Sequence, residues 1–134
     1  MQRFLFPFCV CLLLFSSCQK NEIITGSGLI GKWKAIEQFQ SPGNGGQYLP
    51  LPDNKQFFIE FKQDSSFTYS STFPKADSLF NRFSVNGNEI AVYSSVNNKT
   101  DTWYIHGDLI NSSEINISIF TCIEGCAYKL VRTK

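Results

Sequence analysis

The sequence has little of the side chains that most catalytic and metal sites use. It has a single histidine, His106, and no marked excess of charge, with 12 Lys and Arg against 11 Asp and Glu. A serine or cysteine nucleophile needs a nearby base, and a zinc site needs several ligands. Nucleic-acid binding needs a basic excess that neutralises phosphates. We therefore expect no enzyme, no metal or cofactor site and no nucleic-acid binding.

The acidic residues do not form a clear catalytic pattern. Most of them fall where turns are expected, whereas Glu37 and Glu60 fall inside expected strands. If both pointed inward, they would bind a polar ligand or act as an acid and base pair. Glu60 shares a strand face with Lys62, which favours exposure. No glycine-rich phosphate loop or nucleophile elbow is present.

Long apolar runs are also missing, apart from the twelve residues 4–15. A bilayer span needs about 20. Arg3 precedes this run and Ser16, Ser17 and Cys18 follow it, which is the pattern of an export signal. Residues 15–18 resemble a bacterial lipobox, in which Cys18 is lipidated and becomes the new N-terminus; ordinary cleavage into a free secreted protein is the alternative. We assign residues 1–17 to a lipoprotein signal peptide and 18–28 to the lipidated cysteine and a tether.

The lipobox resemblance also implies a location. Such proteins are held on a membrane by acyl chains without spanning it. Residues 19–22 resemble the short signals that send some lipoproteins to the outer face of the outer membrane of Gram-negative bacteria, although a solvated tether explains them equally. The expected location is the outer membrane, lipid-anchored and surface-exposed, with a periplasm-facing position left open.

The chain is rich in aromatic residues, with 13 Phe, 5 Tyr and 2 Trp, which favours strands. Alternating patterns and turn signals predict strands at residues 33–39, 56–62, 66–73, 80–85, 89–95, 101–106, 114–121 and 127–133. Asn86-Gly87-Asn88 is the strongest hairpin signal among them. We predict an all-β domain at residues 29–134, an eight-stranded antiparallel up-and-down barrel whose closure removes exposed sheet edges.

The first predicted strand opens with Gly31-Lys32-Trp33, and the last contains Arg132. This arrangement resembles the signature of lipocalins and their bacterial lipocalin-like relatives. The resemblance implies that the Trp33 indole plugs the closed end of the barrel beside Arg132. Gly31, Trp33 and Arg132 would then be structural residues.

The connection after the first strand, residues 41–54, is dense in glycine and proline and is expected to hold neither strand nor helix. The lipocalin resemblance implies a lid over the barrel mouth, with Tyr48 and Leu49 as its apolar contacts. An ordinary surface loop is the alternative.

An eight-stranded barrel is wide enough either to be filled by side chains or to hold one small ligand. Our leading hypothesis is that it binds a small, mainly apolar molecule. The candidate lining residues are Phe57, Ile59, Phe61, Phe67, Tyr69, Phe83, Ile105 and Ile117. The alternative is a solid barrel that acts as an interaction or scaffold module of the cell envelope, with a protein partner held outside by Phe58, Tyr93, Tyr104 or the glycine-rich loop.

Two local features concern covalent modification. Cys122 and Cys126 flank a short turn, and an exported protein meets an oxidising compartment, so we expect a disulfide that fixes this turn. Asp77-Ser78-Leu79 resembles a bacterial O-glycosylation site on Ser78, and a turn-capping Asp-Ser pair is the alternative.

Overall fold

A computed structural model describes residues 26–41, 45–75, 79–95, 101–119 and 126–134. The expectations for the signal peptide, for Cys18, for Ser78 and for Cys122 lie outside these residues. Within the described ranges, no helix combines the length and the apolar character needed to cross a bilayer.

The described chain is almost entirely strand. Its elements are α1 (Gly26–Leu29), β1 (Gly31–Gln40), β2 (Gln47–Pro50), a 3-10 turn (Asp53–Lys55), β3 (Phe58–Phe61), β4 (Phe67–Tyr69), β5 (Arg82–Asn86), β6 (Glu89–Tyr93), β7 (Thr102–Asn111), β8 (Glu114–Ile119) and β9 (Ala127–Thr133). Buried and more exposed residues alternate along β3, β7 and β8. Each strand therefore turns one face towards a common core.

The strands form one antiparallel sheet that curls into a nearly closed barrel. Neighbours follow the order β4-β3-β1-β9-β8-β7-β6-β5, and β2 pairs with β1. The first and last strands lie side by side, with Trp33 opposite Arg132. At the other margin, β4 and β5 meet through the bridge between Ser66 and Arg82. The predicted all-β up-and-down barrel of eight strands is confirmed.

The β5–β6 hairpin shows how local chemistry sets this topology. Asn86 pairs with Glu89 across a two-residue turn, and Gly87 has a φ of +61°. Glycine adopts such a φ without steric cost, which is why the sequence predicts this turn.

Residues 47–50 form a strand, so the expectation that the whole 41–54 connection lacks regular structure is wrong. β1 continues past its pairing with β3, and β2 pairs with that free stretch, with Phe39 opposite Tyr48. The two rings pack edge to face at 5.4 Å between centroids. Because the backbone groups of β1 need partners, a nearby extended segment supplies them despite its weak propensity.

Two predicted strand ends also differ from the structure. We expected a turn at Gly107 and Asp108, but β7 runs through both residues because β8 pairs with it along this stretch. Conversely, β4 ends at Tyr69, where Ser70 Oγ accepts a hydrogen bond from the Phe58 N–H at 3.0 Å. The Phe73 N–H then donates to the Ser70 carbonyl at 3.0 Å, which turns the chain.

Aromatic side chains fill much of the barrel interior. The Phe73 ring, 3% exposed, lies 5.4 Å from the Phe57 ring and 5.5 Å from the Trp103 ring, with both contacts edge to face. Phe80 stacks on the other side of Trp103 at 6.0 Å. Such aromatic pairs add stabilisation beyond that of their buried area. The packing of these rings against one another is therefore a main source of core stability.

Candidate binding site at the barrel mouth

The barrel base is sealed by Trp33, whose side chain is 0% exposed. Its indole Nε1 donates to the Leu29 carbonyl at 2.8 Å, which satisfies the one polar atom of a buried ring. The guanidinium carbon of Arg132 lies 4.3 Å from the Trp33 ring centroid, within cation–π range. The contact expected between the two side chains is present.

The remaining bonds of Arg132 fasten three chain segments together. Its Nη2 donates to the Gly28 carbonyl at 2.7 Å, and its Nη1 donates to the Ile30 carbonyl. Its Nε donates to the Ser112 carbonyl at 2.8 Å. The planar fork of arginine presents its donors in fixed directions and so reaches acceptors on separate segments, whereas the donors of lysine radiate from one nitrogen. Arg132 therefore ties the start of the barrel to the β7–β8 turn.

Gly31 is required by the same arrangement. Its φ is +136°, a conformation that favours glycine, and a Cβ at this position would overlap Nη1 of Arg132. The three residues singled out in the sequence thus form one structural unit. They pack against one another, and the polar atoms of the two side chains bond to neighbouring backbone carbonyls, so the base serves stability.

The residues expected to line a cup instead pack mainly against one another. Seven of them are at most 6% exposed, and Tyr69 is partly buried. The Phe61 ring lies 5.2 Å from the Phe67 ring and 4.9 Å from the Phe83 ring. Of the eight, Phe57 also lines the cavity at the mouth, while Ile59 and Tyr69 border a groove on the outer wall.

The mouth cavity lies at the opposite end of the barrel from Trp33 and has a volume of about 310 Å³. Gln38 and Tyr128 mark this position, because they are paired across β1 and β9 far from the base. The complete lining is Gln38, Leu51, Asn54, Lys55, Phe57, Thr72, Pro74 and Tyr128.

One side of this cavity is apolar. The Phe57 and Tyr128 rings meet edge to face at 5.1 Å, and Leu51 is 6% exposed. Leu51 is held in place because its N–H donates to the Ile36 carbonyl at 2.7 Å and its carbonyl accepts from Gln56 Nε2 at 3.1 Å. The apolar wall is therefore fixed by backbone bonds rather than carried on a free loop.

The other side is polar, with an amide at Gln38 and Asn54, an ammonium at Lys55 and a hydroxyl at Thr72. Thr72 Oγ1 donates to the Gln56 carbonyl at 2.8 Å, which fixes its position. Burial raises the pKa of the Tyr128 phenol above its ordinary value of 10.0. At neutral pH this phenol is therefore protonated.

The predicted lid residues have a different role. Tyr48 and Leu49 belong to β2, so the lid-loop assignment is wrong for this segment. Strand alternation places Tyr48, like its partner Phe39, on the face opposite Gln38. Burial, followed by the Asp108 and Glu37 carboxylates, raises the pKa of Tyr48. Leu51 and Asn54 are the residues of this connection that line the cavity, and the sequence prediction named neither of them.

Among the described residues, no acidic residue or histidine lines the mouth cavity. Glu37 Oε2 lies 3.7 Å from Lys129 Nζ, and Glu60 Oε2 lies 3.8 Å from Lys62 Nζ. His106 Nε2 lies 3.4 Å from Asp108 Oδ1, and both side chains are partly exposed. The two glutamates are thus held in separate ion pairs and do not form a carboxylate pair. In the part of the chain that the structure describes, no group of three or more His, Cys, Asp or Glu side chains could hold a metal ion.

Cys126 is partly buried and packs against the core. Its carbonyl accepts a hydrogen bond from the Ile119 N–H at 3.0 Å, which begins the β8–β9 pairing. The disulfide stays a prediction, since Cys122 is outside the described residues.

A scan against protein-family models and searches of curated proteins and of solved structures each found no match. The nearly closed antiparallel barrel is consistent with a lipocalin-like fold.

Proposed function

We propose that this chain is a lipid-anchored, lipocalin-like protein of the cell envelope that binds one small, mainly apolar molecule at the mouth of its barrel. The observation that supports this is the cavity of about 310 Å³ above a core filled by aromatic side chains. Ligand pockets commonly measure about 300–1,000 Å³. The ligand is therefore at the small end of the range that proteins bind.

The cavity lining sets the chemistry of that ligand. Its apolar part would lie against Leu51, Phe57 and Pro74. A polar or anionic group at its other end would meet the Lys55 ammonium or the amide of Gln38. A few polar groups around an apolar wall typically orient a ligand rather than supply most of its affinity.

Native mass spectrometry of the mature protein, purified from its own cells, tests this proposal. We expect a bound small molecule that is lost in the Leu51→Trp variant, because the larger ring fills the cavity. The matched control is Leu79→Trp, since Leu79 is 74% exposed and does not line the mouth cavity. A wild-type protein without any adduct, or an adduct that survives Leu51→Trp, would argue against the mouth as the site.

The proposed anchor rests on the leader, in which Cys18 follows the apolar run directly. Mass spectrometry of the N-terminal peptide from a membrane fraction should find acyl chains on Cys18. The Cys18→Ala variant should leave that fraction, since acyl chains provide the membrane affinity. A free N-terminus at another residue would support simple secretion instead.

A second candidate function is a solid interaction module with a protein partner in the envelope. It is favoured by the dense ring packing of the core and by Tyr104, which is 47% exposed on the outer face of β7. Aromatic residues are enriched at protein interfaces. In this case the purified protein would carry no small molecule, and a co-purifying protein would be lost in Tyr104→Ser.

A further inference from the structure

A second cavity lies on the outer wall of the barrel, over β1, β3 and β4. Its volume is about 240 Å³, and its lining is Lys32, Phe58, Ile59, Glu60, Thr68, Tyr69 and Ser70. It shares no residue with the mouth cavity. We call this second cavity the outer groove.

Two lysine side chains reach the Phe58 ring: Lys32 lines the outer groove, and Lys34 lies beside it, outside the lining. Lys32 Nζ lies 4.8 Å and Lys34 Nζ lies 5.8 Å from the Phe58 ring centroid. The ring therefore gathers two positive charges. Glu60 is opposite Lys32 across β1 and β3, but among the described residues no carboxylate lies within ion-pair distance of either lysine.

The one carboxylate in the groove is already engaged. Glu60 Oε2 lies 3.8 Å from Lys62 Nζ and accepts a hydrogen bond from Thr68 Oγ1 at 3.2 Å. Counting this pair as neutral leaves the charges of Lys32 in the groove and of Lys34 beside it. The groove and its surroundings together are therefore positively charged at neutral pH.

The hydroxyl groups of Thr68 and Ser70 in the groove have little left to offer a ligand. Thr68 Oγ1 donates to Glu60, and Ser70 Oγ accepts from the Phe58 N–H at 3.0 Å. Ser70 Oγ also lies 3.0 Å from Thr72 Oγ1, whose own proton goes to the Gln56 carbonyl. Recognition in the groove thus depends on the two ammonium groups.

The charged residues of the strands are also unevenly distributed around the barrel. Strands β9, β1, β3 and β4 carry the basic residues Lys32, Lys34, Lys129 and Arg132 and the acidic residues Glu37 and Glu60. Strands β5 to β8 carry one basic residue, Arg82, and three acidic residues, Glu89, Asp108 and Glu114. Such a separation steers anions towards the groove side.

We infer that the outer groove binds a phosphate group, through Lys32 and Lys34 and independently of the mouth cavity. Two like charges held near one ring repel each other, and a bound anion removes that repulsion. Lysine is a compact point charge that suits phosphate. Because the site is exposed and uses charge alone, the binding weakens as salt increases.

Chemical-shift titration of the mature chain carrying Cys18→Ser, with inorganic phosphate and then glycerol phosphate, tests the inference. We expect shifts centred on the amides of Lys32 and Phe58. The double variant Lys32→Gln with Lys34→Gln should lower the affinity about tenfold, since exposed ion pairs are individually weak. Lys129→Gln is the control, because Lys129 lies on the same half of the barrel but pairs with Glu37.

Removal of the groove carboxylate separates this inference from a general effect of surface lysines. Glu60→Gln removes the one negative charge of the groove and should strengthen phosphate binding about threefold. Unchanged affinity in the double lysine variant, or weaker binding in Glu60→Gln, would overturn the inference. Thermal unfolding of each variant shows that the barrel is intact, and Leu51→Trp should leave phosphate binding unchanged.

The source of the phosphate is distinguished by a vesicle experiment with the same chain. Co-sedimentation with phosphatidylcholine vesicles is compared in the presence and absence of phosphatidylglycerol. Binding to phosphatidylglycerol vesicles that the double lysine variant loses, without binding of glycerol phosphate, identifies a lipid headgroup. Binding of both identifies the phosphate group itself, and binding of neither overturns the inference.

Discussion

The two ends of the barrel are built from similar residues but are organised in opposite ways. At the base, Trp33, Gly31 and Arg132 satisfy one another, and the Arg132 guanidinium donates to three backbone carbonyls. At the mouth, Phe57 and Tyr128 also pack as rings, yet a cavity of about 310 Å³ remains between them and polar side chains. One end of this barrel is thus packed for stability, and the other retains the cavity at which we propose binding.

The largest effect is expected at the base, from Trp33→Ala. The substitution removes a fully buried ring, the hydrogen bond to Leu29 and the surface on which Arg132 lies. Large aromatic truncations in cores cost about 3–5 kcal/mol. Chemical denaturation followed by circular dichroism should show this loss. A change in unfolding free energy close to zero would mean that Trp33 does not seal the base.

Gly31→Ala should cost about 3 kcal/mol, because the new Cβ requires a strained backbone and displaces Arg132. Gly26→Ala is the matched control in the same segment, since a Cβ there meets no atom within 4 Å. The comparison uses the denaturation midpoints of the two variants. Equal midpoints would show that the base tolerates a side chain at Gly31.

These base residues could be predicted from the sequence because their signals are local. Gly31 and Trp33 are two positions apart, and strand alternation along β3 placed Ile59 and Phe61 inward without knowledge of any partner. Arg132 was recognisable only through the resemblance to lipocalins. The structure then showed why that spacing matters, since Trp33 and Arg132 are direct partners across β1 and β9.

The mouth was harder to predict from the sequence because its structure depends on pairing between residues far apart in the chain. Tyr48 joins a strand only because β1 extends beyond β3, and Leu51 reaches the cavity only because Ile36 holds its N–H. Gly107 stays in β7 because β8 lies beside it. None of these conditions is visible in a local window of sequence, in which proline and glycine signals favour turns.

At the mouth, Leu51→Ala should cost about 2 kcal/mol, at the low end for a buried leucine, because the site already borders a cavity. It should also weaken binding of the small molecule, unlike Gly31→Ala, which should change stability alone. Denaturation and native mass spectrometry of both variants make this comparison. Loss of binding in the base variant under conditions where it is folded would contradict the division between the two ends.

The smallest effect concerns alkaline pH. Burial raises the pKa of Tyr128, and burial with nearby carboxylates raises that of Tyr48, above 10.0. The unfolded chain therefore loses these protons first, so stability is unaffected below about pH 10 and falls as the pH rises above it. In the Tyr128→Phe variant, stability should fall less steeply above about pH 10. The denaturation midpoint of each protein at neutral pH is the reference. An unchanged alkaline slope would show that Tyr128 does not contribute.

The most direct test of the account is a chemical-shift titration of the mature protein with an apolar fluorescent probe such as a naphthalene sulfonate. We predict that the amides of Leu51, Phe57, Thr72 and Tyr128 shift together, while those of Gly31, Trp33 and Arg132 stay in place. Shifts centred on the base, or no shift at the mouth at saturating probe, would contradict the claim that this barrel binds its ligand at the open end.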